Sequence, residues 1–202
     1  MFSYPLNFKF KTLALGAKVT VTDSTNKQLF FVKQKLFKLK ENIQIFTDES
    51  MAQLVGTIGA NKILDFSPRY SFKTPDGSEI GAVKRYGGKS LFRATYEVLN
   101  GDVSEFIIRE EKSWVKFVDA LIGEIPILGM FAGYIFNPVY IVQRGNKETL
   151  RTDPLVMKIK KQPAMFEGKF IVELLDTNLD EGEESRLVIG ALTTMIFERF
   201  RG

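Results

Sequence analysis

The chain of 202 residues has no cysteine and no histidine. A structural zinc site draws on those two side chains, so none is expected. Ser-His and Cys-His nucleophile pairs and thiol exchange are excluded on the same ground. Without a disulfide framework the expected setting is intracellular and cytoplasmic. One Trp stands against 18 Phe and 6 Tyr, so the aromatic content is almost wholly apolar. Long hydrophobic runs are also missing. The stretches 125–136 and 187–197 are the longest candidates, and each is well short of the ~20 residues that span a bilayer. Gly129 and Gly133 form a GxxxG, but outside a long apolar segment that spacing says little. Residues 1–18 do not read as a secretory leader, because Lys9 and Lys11 interrupt any apolar stretch. No carboxylate pair stands out for acid–base work. The expectation is a soluble monomer with peripheral membrane contact and no enzymatic activity, forming one domain over residues 1–202.

A hydrophobic fraction of 45% is ample for one core, and 26% charged residues is ordinary. The net charge is +4, but its distribution says more. Residues 1–40 hold Lys9, Lys11, Lys18, Lys27, Lys33, Lys35, Lys38 and Lys40 against Asp23. Residues 173–184 hold Glu173, Asp176, Asp180, Glu181, Glu183 and Glu184 with no base. A solvated face accounts for either cluster. The more specific reading of the basic one is an anionic partner such as a lipid surface. Nucleic acid is not expected, since the basic stretch lacks an RNP-like aromatic pattern, a helix-turn-helix and a zinc finger.

Most of the chain alternates apolar and polar residues in short runs. Strands are predicted at 18–22, 29–39 with a bulge near Leu36-Phe37, 42–47, 53–58, 70–73 and 79–85. Further strands are predicted at 91–98, 105–110, 139–144, 155–161 and 169–175. Turn residues separate them, notably Pro75-Asp76-Gly77, Gly87-Gly88 and Asn100-Gly101. Such spacing suggests a meandering antiparallel sheet. Two segments depart from it. In 111–122, Trp114, Phe117, Val118, Leu121 and Ile122 fall at helical spacing, predicting an amphipathic helix that lies over a barrel end or on a membrane. At the C-terminus, acids and a candidate cap at 180–185 lead into Leu187-Val188-Ile189-Gly190-Ala191-Leu192-Thr193-Thr194-Met195-Ile196-Phe197. That run has no polar face, so a helix made of it must be surrounded. It is too short for lipid, so protein must surround it. A helix is ~10–12 Å across, and an eight-stranded barrel is filled by its own side chains. About twelve strands are therefore needed to enclose it.

A closed antiparallel barrel of about twelve strands around an apolar C-terminal helix resembles the tubby C-terminal fold. The final segment, Asn178-Leu179-Asp180 through Leu187-Val188-Ile189-Gly190-Ala191 to Phe197-Glu198, resembles the end of phospholipid scramblases. There an acidic loop also leads into an apolar helix that closes with Phe-Glu. The pairs 30–40 with 42–47, and 158–170 with Gly168-Lys169-Phe170, are similar to the LURP-one-related family. The resemblance covers residues 15–202. It implies binding of phosphoinositide-type headgroups, as in tubby domains, or calcium-linked lipid movement, as in scramblases. The chain departs from a scramblase in lacking the cysteine-rich segment, the Pro-rich N-terminal region and the long membrane helix. No tubby phosphoinositide motif matches residue by residue.

Three constellations could carry chemistry. Asp176-Thr177-Asn178-Leu179-Asp180-Glu181-Gly182 opens like an EF-hand, but Glu181 stands where the loop needs Gly and Leu187 where it needs an acid. A non-standard calcium site from Asp176, Asn178 and Asp180 is one reading, and helix capping is the other. Calcium is the one cofactor considered. Gly87-Gly88-Lys89-Ser90 ends like a P-loop, but Val83 occupies the first glycine position. The same turn lies among Lys84, Arg85, Lys89 and Arg93, which suits a phosphate headgroup, and Lys33 and Lys35 add to the basic set. The expected function is docking on an anionic membrane lipid. A scramblase-like lipid transporter and a protein-binding scaffold without a lipid ligand are the alternatives.

Overall fold

In the computed structural model, the described residues are 1–11, 18–34, 42–60, 68–86, 95–111, 138–146, 154–163 and 168–199. They hold twelve strands and one helix. The strands are β1 (Leu6–Lys11), β2 (Lys18–Thr22), β3 (Gln28–Gln34), β4 (Asn42–Phe46), β5 (Leu54–Ala60) and β6 (Arg69–Lys73). They continue with β7 (Glu79–Tyr86), β8 (Thr95–Asn100), β9 (Val103–Glu110), β10 (Val139–Arg144), β11 (Leu155–Gln162) and β12 (Gly168–Leu174), then α1 (Glu181–Arg199). Each strand pairs antiparallel with its sequence neighbour, and β1 pairs with β12, closing the barrel.

β1 was not among the predicted strands, although Leu6, Phe8 and Phe10 are fully buried and alternate with Asn7, Lys9 and Lys11. Of the strand predicted at 29–39, the described part is β3, and residues 35–39 lie outside the described residues. The predicted bulge at Leu36-Phe37, the helix at 111–122 and the stretch 125–136 lie outside the described residues.

α1 is enclosed as its composition requires. Every residue from Gly190 to Ile196 is buried, so all sides of the helix meet protein. Its two buried hydroxyls are satisfied internally: Thr193 Oγ1 donates to the Ile189 carbonyl at 2.7 Å and Thr194 Oγ1 to that of Gly190 at 2.9 Å. The helix lies off-centre, against β7, β8 and β9. Gly190 allows that approach, since a β-carbon there would lie 2.6 Å from Val98 Cγ2.

The up-and-down order separates two ends. The turns at 23–27, 47–53, 74–78 and 101–102, and the entry to α1, share one end. There Asp23, Asp48 and Asp76 each accept bonds from their own turn, and hydroxyls of Thr25, Ser50 and Thr74 hold the three carboxyls below the usual range.

At the helix entry, Asp180 Oδ1 accepts the Glu183 N–H at 2.8 Å while Glu183 Oε2 accepts the Asp180 N–H at 3.2 Å, a reciprocal cap. Glu183 also accepts from Arg144 Nη1 at 2.5 Å, and this bond above all holds its carboxyl below the ordinary value of 4.5. Asp180→Ala should lower stability by about 1 kcal/mol in urea unfolding. A carboxyl held low in the folded state stabilises it above the unfolded pKa, and that contribution fades as pH falls through the folded one. Wild type should therefore lose stability below about pH 4.5, and Glu183→Gln should flatten that part of the curve. Parallel acid profiles for the two proteins would exclude this pair as a source.

Candidate functional site

In β12, β1 and β2 the burial alternates, so one face of the sheet meets solvent there, while in β3 Phe31 is buried beside the inward Val32 and Lys33 remains on the outer face. Opposite, four consecutive residues of β8 and of β10 are buried, so both faces are covered there. A charged site has room to meet an outside partner on the open side.

The open side carries lysines. Phe8, Phe10, Val19, Val32 and Phe170 point into the core, which fixes register and turns Lys9, Lys11, Lys18, Lys33 and Lys169 outward. Lys11 stands directly opposite Lys18, and Lys18 opposite Lys33, in one row across three strands. Lys9 stands directly opposite Lys169. Directly opposed side chains sit ~5 Å apart at Cβ, and like charges so placed are destabilising. Glu49 offsets one of them, accepting from Lys11 Nζ at 2.9 Å and from Thr20 Oγ1 at 3.2 Å. The Lys11 ammonium holds Glu49 below its usual range and so keeps it ionised. Lys33 Nζ lies 3.8 Å from the Met51 sulfur. Next round the barrel, Lys160 pairs with Glu173.

The predicted basic residues do not all converge. Lys84 is on the outside of β7, four strands from β3 round the ring. Its Nζ lies 5.1 Å from the Tyr86 ring centre, and Glu97 is directly opposite it on β8. Tyr86 donates to Glu97 at 2.6 Å, and burial, then that carboxylate, pushes the phenol up to about 12. Arg85 has the inward parity of Val83 and faces Tyr96 across the ladder. Lys84 and Arg85 thus belong to a different part of the barrel from Lys33. Lys35, Lys89 and Arg93 lie outside the described residues.

The acidic loop is committed to local bonding. Asp176 Oδ1 accepts the Asn178 N–H at 2.9 Å, and Asp180 caps α1. Among the described residues no group of three or more acidic side chains is arranged to hold a metal ion. Asp180 takes the capping position that the sequence offered it. Also among the described residues, no helix is long and apolar enough to cross a membrane.

Lys169 escaped the sequence reading. It becomes a neighbour of Lys9 only because β12 closes on β1, a contact between residues far apart in the chain that no local pattern signals.

No family model matches the chain, and no curated protein does. Among solved structures, it is similar to an X-ray structure of a protein from Arabidopsis thaliana, with a TM-score of 0.44 and 14% identity. The match covers 98% of this chain and 92% of that one.

Proposed function

We propose that this barrel is a non-enzymatic module that docks on an anionic lipid surface through the stripe Lys169, Lys9, Lys11, Lys18 and Lys33. The carrying observation is the direct opposition of lysines across four adjacent strands on the solvent-facing side. Directly opposed like charges cost free energy, which an anionic surface would lower further than Glu49 does at Lys11. Each lysine near an anionic headgroup layer contributes about 1 kcal/mol, screened by salt. The strands fix the spacing of the five backbone positions, so docking orders side chains and not the chain itself.

Co-sedimentation with vesicles tests the reading. Wild type should bind phosphoinositide-containing vesicles at low salt and be released as salt rises. Lys9→Glu with Lys18→Glu and Lys169→Glu should weaken binding on the order of 100-fold, from about 1 kcal/mol per residue. Equal recovery with neutral and anionic vesicles at low salt would remove the proposal. Capture of a protein partner by the same face, with no vesicle binding, would favour the scaffold alternative.

A further inference from the structure

The off-centre helix leaves unfilled space beside it in the barrel. A cavity of about 270 Å³ lies between α1 and strands β3–β7, at the end where the short turns gather. Its inner wall is Phe72 and Ile45 on the sheet side and Val188 and Leu192 on the helix side. Val55 and Ile80, each 37% exposed, are apolar residues at its rim. For scale, an apolar cavity of ~150 Å³ admits a benzene ring.

Two features define the occupant. The cavity follows α1 from Ser185 to Leu192, which at 1.5 Å per residue is ~10 Å. That length suits an unbranched hydrocarbon chain better than a single side chain. The second feature is charge. Lys73 is the one charged residue that lines it. Its stem can cover apolar surface while the ammonium stays at the opening. Glu79, opposite Lys73 in the ladder, is instead bonded to Arg69. Asp76, on the neighbouring turn, is held by Thr74 and Ser78. We infer that this cavity binds the chain of a single-chain carboxylate amphiphile of the fatty-acid class, with its head on Lys73.

The inference goes beyond the docking function and does not depend on it. The cavity and the lysine stripe lie on different faces. The cavity lies inside the barrel, between α1 and the sheet, so the ligand enters as a single molecule and not as part of a bilayer.

Titration calorimetry of the full chain with dodecanoate, dodecanol and dodecylammonium, below their aggregation thresholds, tests it. Dodecanoate should bind most tightly, and Lys73→Gln should weaken it about tenfold while leaving dodecanol unchanged. Val55→Trp, at an exposed rim position, should block all three ligands with the melting curve preserved, and Ile80→Trp serves if that variant is unstable. The Lys9→Glu, Lys169→Glu variant should bind dodecanoate like wild type, which separates this site from the vesicle surface. Failure of dodecanoate to bind, tighter binding of dodecylammonium, or binding indifferent to Val55→Trp would overturn the inference.

Discussion

Gly190→Asp should leave the protein without a cooperative unfolding transition. A β-carbon at this position already lies 2.6 Å from Val98 Cγ2 and 3.6 Å from Val83 Cγ2. A carboxylate beyond it would enter a region where Val98, Ala191 and Leu187 are fully buried. An unpaired buried charge costs several kcal/mol. The whole native state is worth only about 5–15 kcal/mol. Gly190→Ala separates the steric part. Relative to Gly, Ala gains up to about 1 kcal/mol of helix propensity, but overpacking costs about 1–3 kcal/mol. A modest net loss in urea midpoint is expected, with unchanged cooperativity. A run with no polar face would put a charge at Ile189 on the same footing as one at Met195. The structure separates them. Met195 is fully buried, while Ile189 is only partly so and borders the cavity, where water can reach a charge. Met195→Asp should therefore unfold the chain and Ile189→Asp should cost distinctly less. A soluble, cooperatively folding Gly190→Asp protein would contradict an enclosed helix.

The helix could be read from sequence because enclosure is a local property. Eleven residues without a polar side determine that protein must lie all round them, and their short span excludes lipid. Strands such as Val139–Arg144 were legible for the same reason, since burial of one or both faces writes itself into consecutive residues. β1 was missed for a different reason. Leu6, Phe8 and Phe10 alternate cleanly, but they lie in a segment weighed only as a leader. The candidate site was mostly illegible. Lys9, Lys11, Lys18 and Lys33 looked like a basic N-terminal region, whereas the informative fact is which lysine stands opposite which. That depends on register, and register depends on the buried partners of each strand. Lys84 and Lys33 showed the converse error, because similar composition implied a shared face that the ring order denies.

Arg186→Met should be the most damaging substitution at the entry to the helix, costing about 3–5 kcal/mol. Arg186 Nε and Nη2 donate to the two Glu105 oxygens at 2.7 Å each. The side chains are only 12% and 13% exposed, so neither charge has water to fall back on. The guanidinium stem also fills the space above Gly81, where a β-carbon would lie 2.7 Å from Arg186 Cδ. Removing the cation leaves Glu105 with Asn100 Nδ2, 3.0 Å away on β8, and with the more distant charge of Arg144, which is itself bonded to Glu183. A neutral amide does not balance a carboxylate withdrawn from water. The pair ties β9 to the first turns of α1, and through the helix to β7 and β8. The cost should thus appear in global unfolding and not as local fraying. A double-mutant cycle decides whether this is attraction or an unpaired charge. Glu105→Leu combined with Arg186→Met removes both charges at similar volume, and should recover most of what Arg186→Met alone loses. If the double variant is no more stable than Arg186→Met, the loss is one of packing around the Arg186 stem, and the ion pair is not what fastens the helix.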